Sequence, residues 1–274
     1  MSILQIENLT LAYNGKSVID DLSLTVPEGQ ITALVGANGS GKSTLLRGIS
    51  RLLTPRRGSV YLDGKAIHRL PTRQVAQRLG ILPQGPAAPE GITVRELVEQ
   101  GRFPHLGFFQ QHSDEDERII SRALQITRME TFVDRPLDTL SGGQRQRAWI
   151  AMALAQDTDI LLLDEPTTFL DLAHQIEILD LLQELNSRGR TVVMVLHDLN
   201  QACRYADMLV AIKDGGIYNA GKPSEIMSTR LVADVFDITC QLIDDPVAQT
   251  PMCIPLSRSG ERQGAGGMEQ TPSR

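Results

Sequence analysis

A glycine-rich loop that joins a buried strand to a helix constrains the fold of this chain more than any other feature. Residues 31–35, ITALV, form an unbroken apolar run, which is typical of a strand covered on both faces. The loop GANGSGKS follows at residues 36–43, and the segment KSTLLRGISRLL at 42–53 then predicts a helix. In such a unit the backbone N–H groups converge on phosphate groups. The unit therefore predicts a nucleotide-binding α/β fold.

Each residue type in this loop suits a triphosphate ligand. Glycines let consecutive backbone N–H groups turn towards the phosphates, and the following helix adds the positive end of its dipole. We expect Lys42 to place its charge on the β and γ phosphates and the Ser43 hydroxyl to ligate Mg²⁺. A glycine-rich turn without a ligand is the alternative, which the flanking strand and helix disfavour. The expected phosphate-binding residues are Gly36, Ala37, Asn38, Gly39, Ser40, Gly41, Lys42, Ser43 and Thr44.

The hydrophobic pattern elsewhere extends this unit into a mostly parallel sheet. Alternating apolar residues on both sides of Asn14-Gly15 predict an antiparallel hairpin near the N-terminus. Strand-like runs at 159–165 and 191–197 alternate with helical segments, which predicts a parallel sheet with helices on both faces. Residues from about 92 to 155 have a helical pattern. The predicted fold class is α/β, a P-loop NTPase with an N-terminal antiparallel β part and an inserted helical subdomain.

These elements indicate one domain over residues 1–253. Its nucleotide-binding core comprises 1–84 and 156–253, and the helical insertion covers about 85–155. In the insertion, the acidic run DEDER at 114–118 predicts the first turn of a solvent-facing helix. Residues 254–274 are rich in Gly, Ser and Arg, and we expect them to form a disordered tail.

Charge and composition exclude several classes of protein. The formal net charge of −6 argues against nucleic-acid binding, which needs a basic face. No apolar run approaches the roughly 20 residues of a membrane-spanning helix, and the N-terminus lacks the pattern of a secretion signal. The three cysteines, Cys203, Cys240 and Cys253, form no C-x-x-C pair, so we expect free thiols in a reducing compartment.

Acidic and polar residues follow three of the predicted strands. The apolar run ILLL at 160–163 ends in Asp164 and Glu165, at the sheet edge where ligands of such folds bind. We expect Asp164 to hold Mg²⁺ or its water, and Glu165 to orient or deprotonate the water that attacks the γ-phosphate. Gln84 is then placed to reach Mg²⁺ or that water, and His197 to bond the γ-phosphate and position Glu165. Taken singly, each residue has an ordinary structural interpretation.

A second glycine turn lies about a hundred residues after the first, in LSGGQRQR at 140–147. Ser141 and Gln144 match the capping-box pattern, which by itself predicts only a well-capped helix. Gly142 and Gly143 weaken that helix start by up to about 1 kcal/mol each relative to alanine, and they expose backbone donors suited to an anion. Because the first loop already surrounds its own nucleotide from one side, we expect this turn to bind a nucleotide held by a second copy.

Together these motifs resemble the nucleotide-binding subunits of ATP-binding-cassette (ABC) transporters over roughly residues 3–240, in the order and spacing of that family. The residues that carry the resemblance are Tyr13, GANGSGKST, Gln84, LSGGQRQR, ILLLDEP, Asp171 and His197. The resemblance implies that two subunits pack head to tail, with each ATP between one loop and the partner's residues 141–144. It also implies that Tyr13 stacks on adenine and that Asp171 lies in a loop at the dimer interface.

Longer stretches are similar to the ATPases of ferric-siderophore importers, in the branch shared with haem and cobalamin importers. They are ITVRELVEQGRFPH, LDTLSGGQRQRAWIAMALAQ, DEPTTFLDLAHQIEIL and HDLNQACRYAD. Residues 168–170, Thr-Phe-Leu, replace the commoner Ser-Ala-Leu and suit this branch. The resemblance implies an ATPase that uses Mg²⁺ and forms a homodimer. It further implies that the protein is peripheral to the cytoplasmic face of the cell membrane and works with separate permease subunits and a substrate-binding protein.

Other classes of protein remain open at this point. Within transporters, the chain suits the ATPase of a haem, cobalamin or other chelate importer, or of an exporter. A soluble cassette ATPase of DNA repair or translation fits the length and acidity poorly, and a P-loop kinase or GTPase lacks the second glycine turn. Residues 85–105 are the expected permease-docking surface, where Phe103, Phe108 and Phe109 are either exposed anchors or core.

Overall fold

Strands and helices alternate along the chain as the sequence predicts. The computed structural model describes residues 2–107, 112–168 and 170–257. The strands are β1 (Ser2–Tyr13), β2 (Lys16–Pro27), β3 (Ile31–Val35), β4 (Arg57–Leu62), β5 (Lys65–Ala66), β6 (Leu79–Leu82), β7 (Ile160–Asp164), β8 (Thr191–Val195), β9 (Met208–Lys213), β10 (Gly216–Gly221), β11 (Cys240–Asp244) and β12 (Pro251–Pro255). The helices are α1 (Lys42–Ile49), α2 (Thr72–Ala76), α3 (Val94–Gln100), α4 (Asp114–Ile126), α5 (Gly142–Ala155), α6 (Leu172–Ser187), α7 (Leu199–Tyr205), α8 (Pro223–Ile226) and α9 (Thr229–Phe236).

The N-terminal part is an antiparallel sheet in the order β2-β1-β4-β5. Its first hairpin turns at Asn14 and Gly15, with φ of 46° and 88°, the positive values that a tight hairpin turn favours. The sheet's apolar face packs on α1 in a core shared with one face of the parallel sheet. The predicted antiparallel β part is therefore confirmed.

The second sheet has the order β10-β9-β3-β8-β7-β6 and carries the carboxyl ends of its parallel strands at one edge. Every residue of β3, β7 and β8 is buried. In β7, Leu161 and Leu163 pack in one hydrophobic cluster, whereas Ile160 and Leu162 pack in the other. This two-sided burial explains the unbroken apolar run, because each face of the strand has its own core to fill.

The helical insertion packs α5 against α3 and α4 and shares a core with one face of the parallel sheet. Helix α4 begins at Asp114, as the acidic run predicts, and Ser113 caps it. The expectation that this turn faces solvent is wrong at Asp116, which is only 7% exposed. Its carboxylate is drawn inward by Arg102, whose Nε lies 2.8 Å from Asp116 Oδ1.

A C-terminal unit after β9 was absent from the sequence prediction. It comprises β10, α8 and α9 and ends in the two-stranded hairpin of β11 and β12. Asn200 of α7 fixes this hairpin, since its side chain accepts from Cys253 N at 2.7 Å and donates to Cys253 O at 3.1 Å. Strand β12 runs to Pro255, beyond the predicted start of the tail at 254. The rest of that tail, 258–274, lies outside the described residues.

All three cysteines lie in the described part of the chain. Cys203, Cys240 and Cys253 are free and buried. Burial raises the pKa of Cys203 to about 12, so this thiol stays protonated. No described helix combines the length and the apolar character needed to cross a membrane.

Candidate active site

The phosphate loop (residues 36–44) leaves β3 and enters α1 through a backbone that requires glycine. Gly36 shows the closest approach, because a Cβ built there would lie 2.2 Å from the carbonyl oxygen of Ile212. Gly41 has φ of 108° and stands at the N-terminus of α1, where a side chain would be strained. The loop therefore presents bare backbone to the space above the sheet, which suits a phosphate chain.

Lys42 closes this loop on itself. Its Nζ donates to Gly36 O at 2.8 Å and to Ala37 O at 2.9 Å. Burial lowers the pKa of Lys42, and the carboxylates of Glu165 and Asp164 partly oppose that effect. Nearby, Ser40 Oγ is buried and has no hydrogen-bond partner among the described residues. An ammonium group and an unused hydroxyl on a backbone cradle are donors that match a polyphosphate.

Ser43 and Asp164 meet at the carboxyl edge of the sheet. Ser43 Oγ donates to Asp164 Oδ1 at 2.8 Å, although 121 residues separate them in sequence. Burial raises the pKa of Asp164, and the hydrogen bond from Ser43 acts in the opposite direction. Among the described residues, no group of three or more His, Cys, Asp or Glu side chains is arranged to hold a metal ion by itself. A hydroxyl with one carboxylate nevertheless suits Mg²⁺, which keeps water and takes further oxygen ligands from substrate phosphates.

Glu165 has a φ of 55°, which is unusual for a residue with a side chain. This backbone turn after β7 aims the carboxylate at two other predicted residues. Gln84 Nε2 donates to Glu165 Oε2 at 2.6 Å, and His197 Nε2 lies 2.7 Å from Oε1. Thr168 Oγ1 adds a third hydrogen bond, to Oε2 at 3.0 Å. The structure therefore brings Gln84, Glu165 and His197 together, beside Asp164.

The signature turn (residues 141–144) begins α5. Ser141 Oγ accepts from Gln144 N at 3.3 Å, and Gln144 Oε1 accepts from Ser141 N at 3.1 Å, so the predicted capping box is present. Ser141 and Gly142 are exposed to solvent. The turn thus displays the positive end of a 14-residue helix at the surface of the molecule.

Asp171 and Tyr13 occupy separate positions around this centre. Asp171 caps α6, its Oδ1 accepting from His174 N at 2.9 Å. Tyr13 ends β1 and is 38% exposed, with its hydroxyl 3.4 Å from Arg47 Nη1 of α1. An exposed ring beside the helix that follows the phosphate loop is compatible with stacking on a base, which stays a prediction.

Three residues that the sequence analysis did not single out secure the loop after β7. Gln146 Nε2 donates to Pro166 O at 2.9 Å, and Gln175 Nε2 donates to Leu170 O at 3.0 Å. His174 Nδ1 lies 2.6 Å from Oδ1 of Asp171, at the end of this loop, and its ring lies beside Gly143. The sequence signal that could have identified these residues is their position next to the signature turn and Asp171. Side chains one helical turn from a motif contact the motif's neighbours. Phe169 in this loop lies outside the described residues.

A groove of about 360 Å³ lies where the expected docking segment meets the core. Gln100 and Pro104 line one side, and Leu52, 60% exposed, lies on the other. Arg73 fixes the segment by donating to the carbonyl oxygens of Pro104 and His105 at 2.8 and 2.9 Å. Phe103 is 62% exposed, which favours a surface role over core packing. Phe108 and Phe109, the other two residues of that prediction, lie outside the described residues.

The comparisons with known proteins agree on one family. A family model described as ABC transporter matches residues 19–168. The probable siderophore transport system ATP-binding protein of Bacillus subtilis is 59% identical, covering 94% of each chain. The ferric enterobactin transport ATP-binding protein of Escherichia coli is 51% identical, covering 92% of this chain and 94% of its own. A dimeric structure of a bacterial ABC transporter cassette is 31% identical with a TM-score of 0.72, covering 80% of this chain and 98% of its own.

Proposed function

This chain belongs to the ABC transporter family, as one of its ATP-hydrolysing subunits, and we propose that it drives the import of a ferric siderophore. The observation that carries the cargo assignment is the set of relatives that are 49–59% identical over at least 92% of the chain. Their names specify siderophore, petrobactin, achromobactin, ferric enterobactin or iron-hydroxamate transport. A cobalamin import ATP-binding protein is also similar, at a lower identity of 37%. The haem, cobalamin and exporter alternatives are therefore less well supported.

The phosphate loop of the proposed subunit binds ATP through its backbone N–H groups. Lys42 leaves the carbonyl oxygens of Gly36 and Ala37 and donates to the β and γ phosphates instead. Ser43, Asp164 and Gln84 are the residues that would hold Mg²⁺, which when bound neutralises charge on the phosphates. The hydrogen bond between Ser43 and Asp164 supports this assignment, since it places two of the three proposed ligands side by side.

Glu165 acts on the water that attacks the γ-phosphate. Hydrogen bonds from Gln84 and His197, at 2.6 and 2.7 Å, hold its carboxylate in one orientation. Fixing a general base in this way lowers the cost of aligning the water and the reacting phosphorus. The water's proton passes to a Glu165 oxygen as the new P–O bond forms, while the bond from the γ-phosphorus to the β–γ bridging oxygen breaks and ADP leaves with that electron pair. His197, with a 45% exposed side chain, is free to turn one face to the γ-phosphate.

Two copies assemble head to tail in this proposal. The signature turn of one copy, led by Ser141, completes the ATP site formed by the phosphate loop of the other. Each γ-phosphate then adds contacts that exist only in the closed dimer, so ATP binding favours closure and hydrolysis reverses it. The exposure of Ser141 and Gly142 supports the arrangement, because these donors face outward rather than into their own subunit.

The groove lined by Leu52, Gln100 and Pro104 is the proposed contact with integral membrane permease subunits. The groove lies between the core and the helical insertion. A change in the relative position of these two parts would therefore change the shape of the surface on which a permease subunit docks. The protein would act at the cytoplasmic face of the cell membrane. A separate substrate-binding protein would deliver the chelate to the permease.

Transport by the assembled complex tests the proposal. The chain is purified with its permease subunits and reconstituted in proteoliposomes that contain the substrate-binding protein and internal ATP. Uptake of an iron-55 siderophore should exceed uptake of haem or cobalamin, and preferential uptake of either of those would contradict the cargo assignment. Leu52→Asp should retain ATP hydrolysis by the free chain but lose co-purification with the permease. Val247→Asp is the matched control, since Val247 is 82% exposed in the loop of the C-terminal hairpin.

A further inference from the structure

His174 lies between two parts of the proposed machinery that belong to different elements. It stands in the first turn of α6, three residues after Asp171, and its side chain is 34% exposed. Its imidazole Nδ1 lies 2.6 Å from Asp171 Oδ1, and the same oxygen accepts from the backbone N–H of His174 at 2.9 Å. One residue therefore makes two hydrogen bonds to the Asp171 carboxylate.

The other side of the ring contacts the signature turn. A Cβ built on Gly143 would lie 3.1, 3.3 and 3.4 Å from Cδ2, Cγ and Nε2 of His174. The gap between the imidazole and the backbone of Gly143 is thus slightly too narrow for a methyl group. Because so little space separates them, a displacement of the turn towards α6 closes the gap and pushes the ring.

Asp171 ends a loop that begins at the catalytic carboxylate. Helix α5 holds the start of this loop, because Gln146 donates to Pro166 O at 2.9 Å. Helix α6 holds its end, because Gln175 donates to Leu170 O at 3.0 Å and to Thr167 O at 3.4 Å. Gln175 therefore links the first turns of α6 to Thr167, and the neighbouring Thr168 Oγ1 donates to Glu165 Oε2 at 3.0 Å, so a shift of this end of α6 is felt at Glu165.

We propose that His174 is a positioning residue that joins the signature turn to the 165–171 loop and so couples the two ATP sites of the dimer. The inference rests on the proposed function, in which the signature turn serves the partner's nucleotide whereas Glu165 serves its own. Capture of the partner's γ-phosphate displaces the turn, and the imidazole transmits that displacement to Asp171. Each site then becomes competent for hydrolysis when the other is filled.

Steady-state ATP hydrolysis by the full-length chain provides the test, measured over a range of ATP concentrations. The wild type should give a Hill coefficient between about 1.5 and 2, since two coupled sites set the upper limit. His174→Ala should lower the coefficient to about 1 and reduce kcat about tenfold. The affinity for a fluorescent ATP analogue under monomeric conditions should not change, because His174 does not contact the phosphate loop. His174→Gln, which retains a flat side chain able to donate to Asp171, should restore most of the cooperativity.

A double-variant cycle separates coupling from folding. Asp171→Asn should also lower the Hill coefficient, and its combination with His174→Ala should be no worse than either change alone, because both remove one connection. His68→Ala, which removes an exposed imidazole from the N-terminal β part, is the matched control and should behave as the wild type.

The outcomes distinguish this inference from the proposed function. Cooperative hydrolysis that is the same in His174→Ala and wild type would overturn the role of His174 and leave the head-to-tail dimer intact. A wild type without cooperativity and without ATP-dependent dimers would overturn both. Loss of cooperativity in His174→Ala without recovery in His174→Gln would overturn the hydrogen-bonded link to Asp171.

Discussion

Glu165 is held in a backbone conformation that its surroundings impose. Its positive φ follows a fully buried strand, and its carboxylate accepts hydrogen bonds from Gln84 and Thr168 while His197 faces the other oxygen. A side chain with three partners and a strained backbone is oriented before any substrate arrives. This arrangement is expected of a base that must meet a water molecule in one direction.

The variant Glu165→Gln tests that role at the scale of one residue. The amide has nearly the same shape but cannot accept the water's proton, so we expect hydrolysis to fall at least about 100-fold. Affinity for a fluorescent ATP analogue should be unchanged, in contrast to Lys42→Ala, which removes a phosphate ligand and should weaken binding itself. Phosphate release measured at saturating ATP decides the matter. Hydrolysis by Glu165→Gln near the wild-type rate would rule out Glu165 as the general base.

At the scale of elements, the pair Arg102–Asp116 fastens the helical insertion. Asp116 accepts from Ser113 N and Oγ at 2.9 and 2.6 Å at the start of α4, and from Arg102 Nε at 2.8 Å. Arg102 also donates to Ala155 O, at the end of α5, at 2.8 Å. Two buried side chains therefore join the segment after α3 to both other helices of the insertion.

Replacing Asp116 should destabilise this insertion. Asp116→Asn leaves the Arg102 guanidinium buried without its carboxylate, so we expect a loss of about 3 kcal/mol in the free energy of unfolding. Urea denaturation followed by circular dichroism measures it. The control is Glu115→Gln in the same turn, which removes an ion pair with Arg118 whose side chains are 67% and 77% exposed. That change should cost less than about 1 kcal/mol, and equal losses in the two variants would contradict the prediction.

The same pair predicts a dependence on pH. Burial alone would raise the pKa of Asp116, but hydrogen bonds from Ser113 and the ion pair with Arg102 outweigh it and hold the pKa well below its usual range. A carboxyl group with a lowered pKa contributes stability above its unfolded pKa of about 4 and loses it as the pH falls further. The difference in unfolding free energy between wild type and Asp116→Asn should therefore narrow below about pH 4.

The elements near the motifs were predictable because local patterns specify them, and others were not. An unbroken apolar run predicts β7, and the S-x-x-Q pattern predicts the start of α5. Strands β11 and β12 lack such a signal, since each buries little more than a cysteine, and the contact that fixes β12 comes from Asn200 of α7. Arg102 and Asp116 are 14 residues apart in sequence, and only helix packing reveals that they meet. Likewise, no pattern predicts that His174 touches Gly143.

At the scale of the whole molecule, the two features proposed to bind phosphate lie on different parts of one subunit. The phosphate loop lies on the parallel sheet, whereas the signature turn starts the central helix of the insertion. The sequence motifs predicted both features and predicted that the second serves a nucleotide held by another copy, whereas the head-to-tail packing of the two subunits was implied by the resemblance. The dimeric cassette among the solved structures, 31% identical, supports such an assembly.

Ser141→Arg tests the assembly directly. A long cationic side chain at the start of α5 would occupy the space proposed for the partner's phosphate, so closure should fail although each monomer still binds ATP. Size-exclusion chromatography with light scattering, in the Glu165→Gln background and with ATP, should show dimers for the parent and monomers for the variant. Ser228→Arg is the matched control, because Ser228 also caps a helix, α9. Losing this cap should reduce stability by about 1 kcal/mol, as losing the cap at Ser141 should. ATP-dependent dimers as abundant in Ser141→Arg as in Ser228→Arg would contradict the shared site, because the loss of a cap would then account for everything that the substitution does.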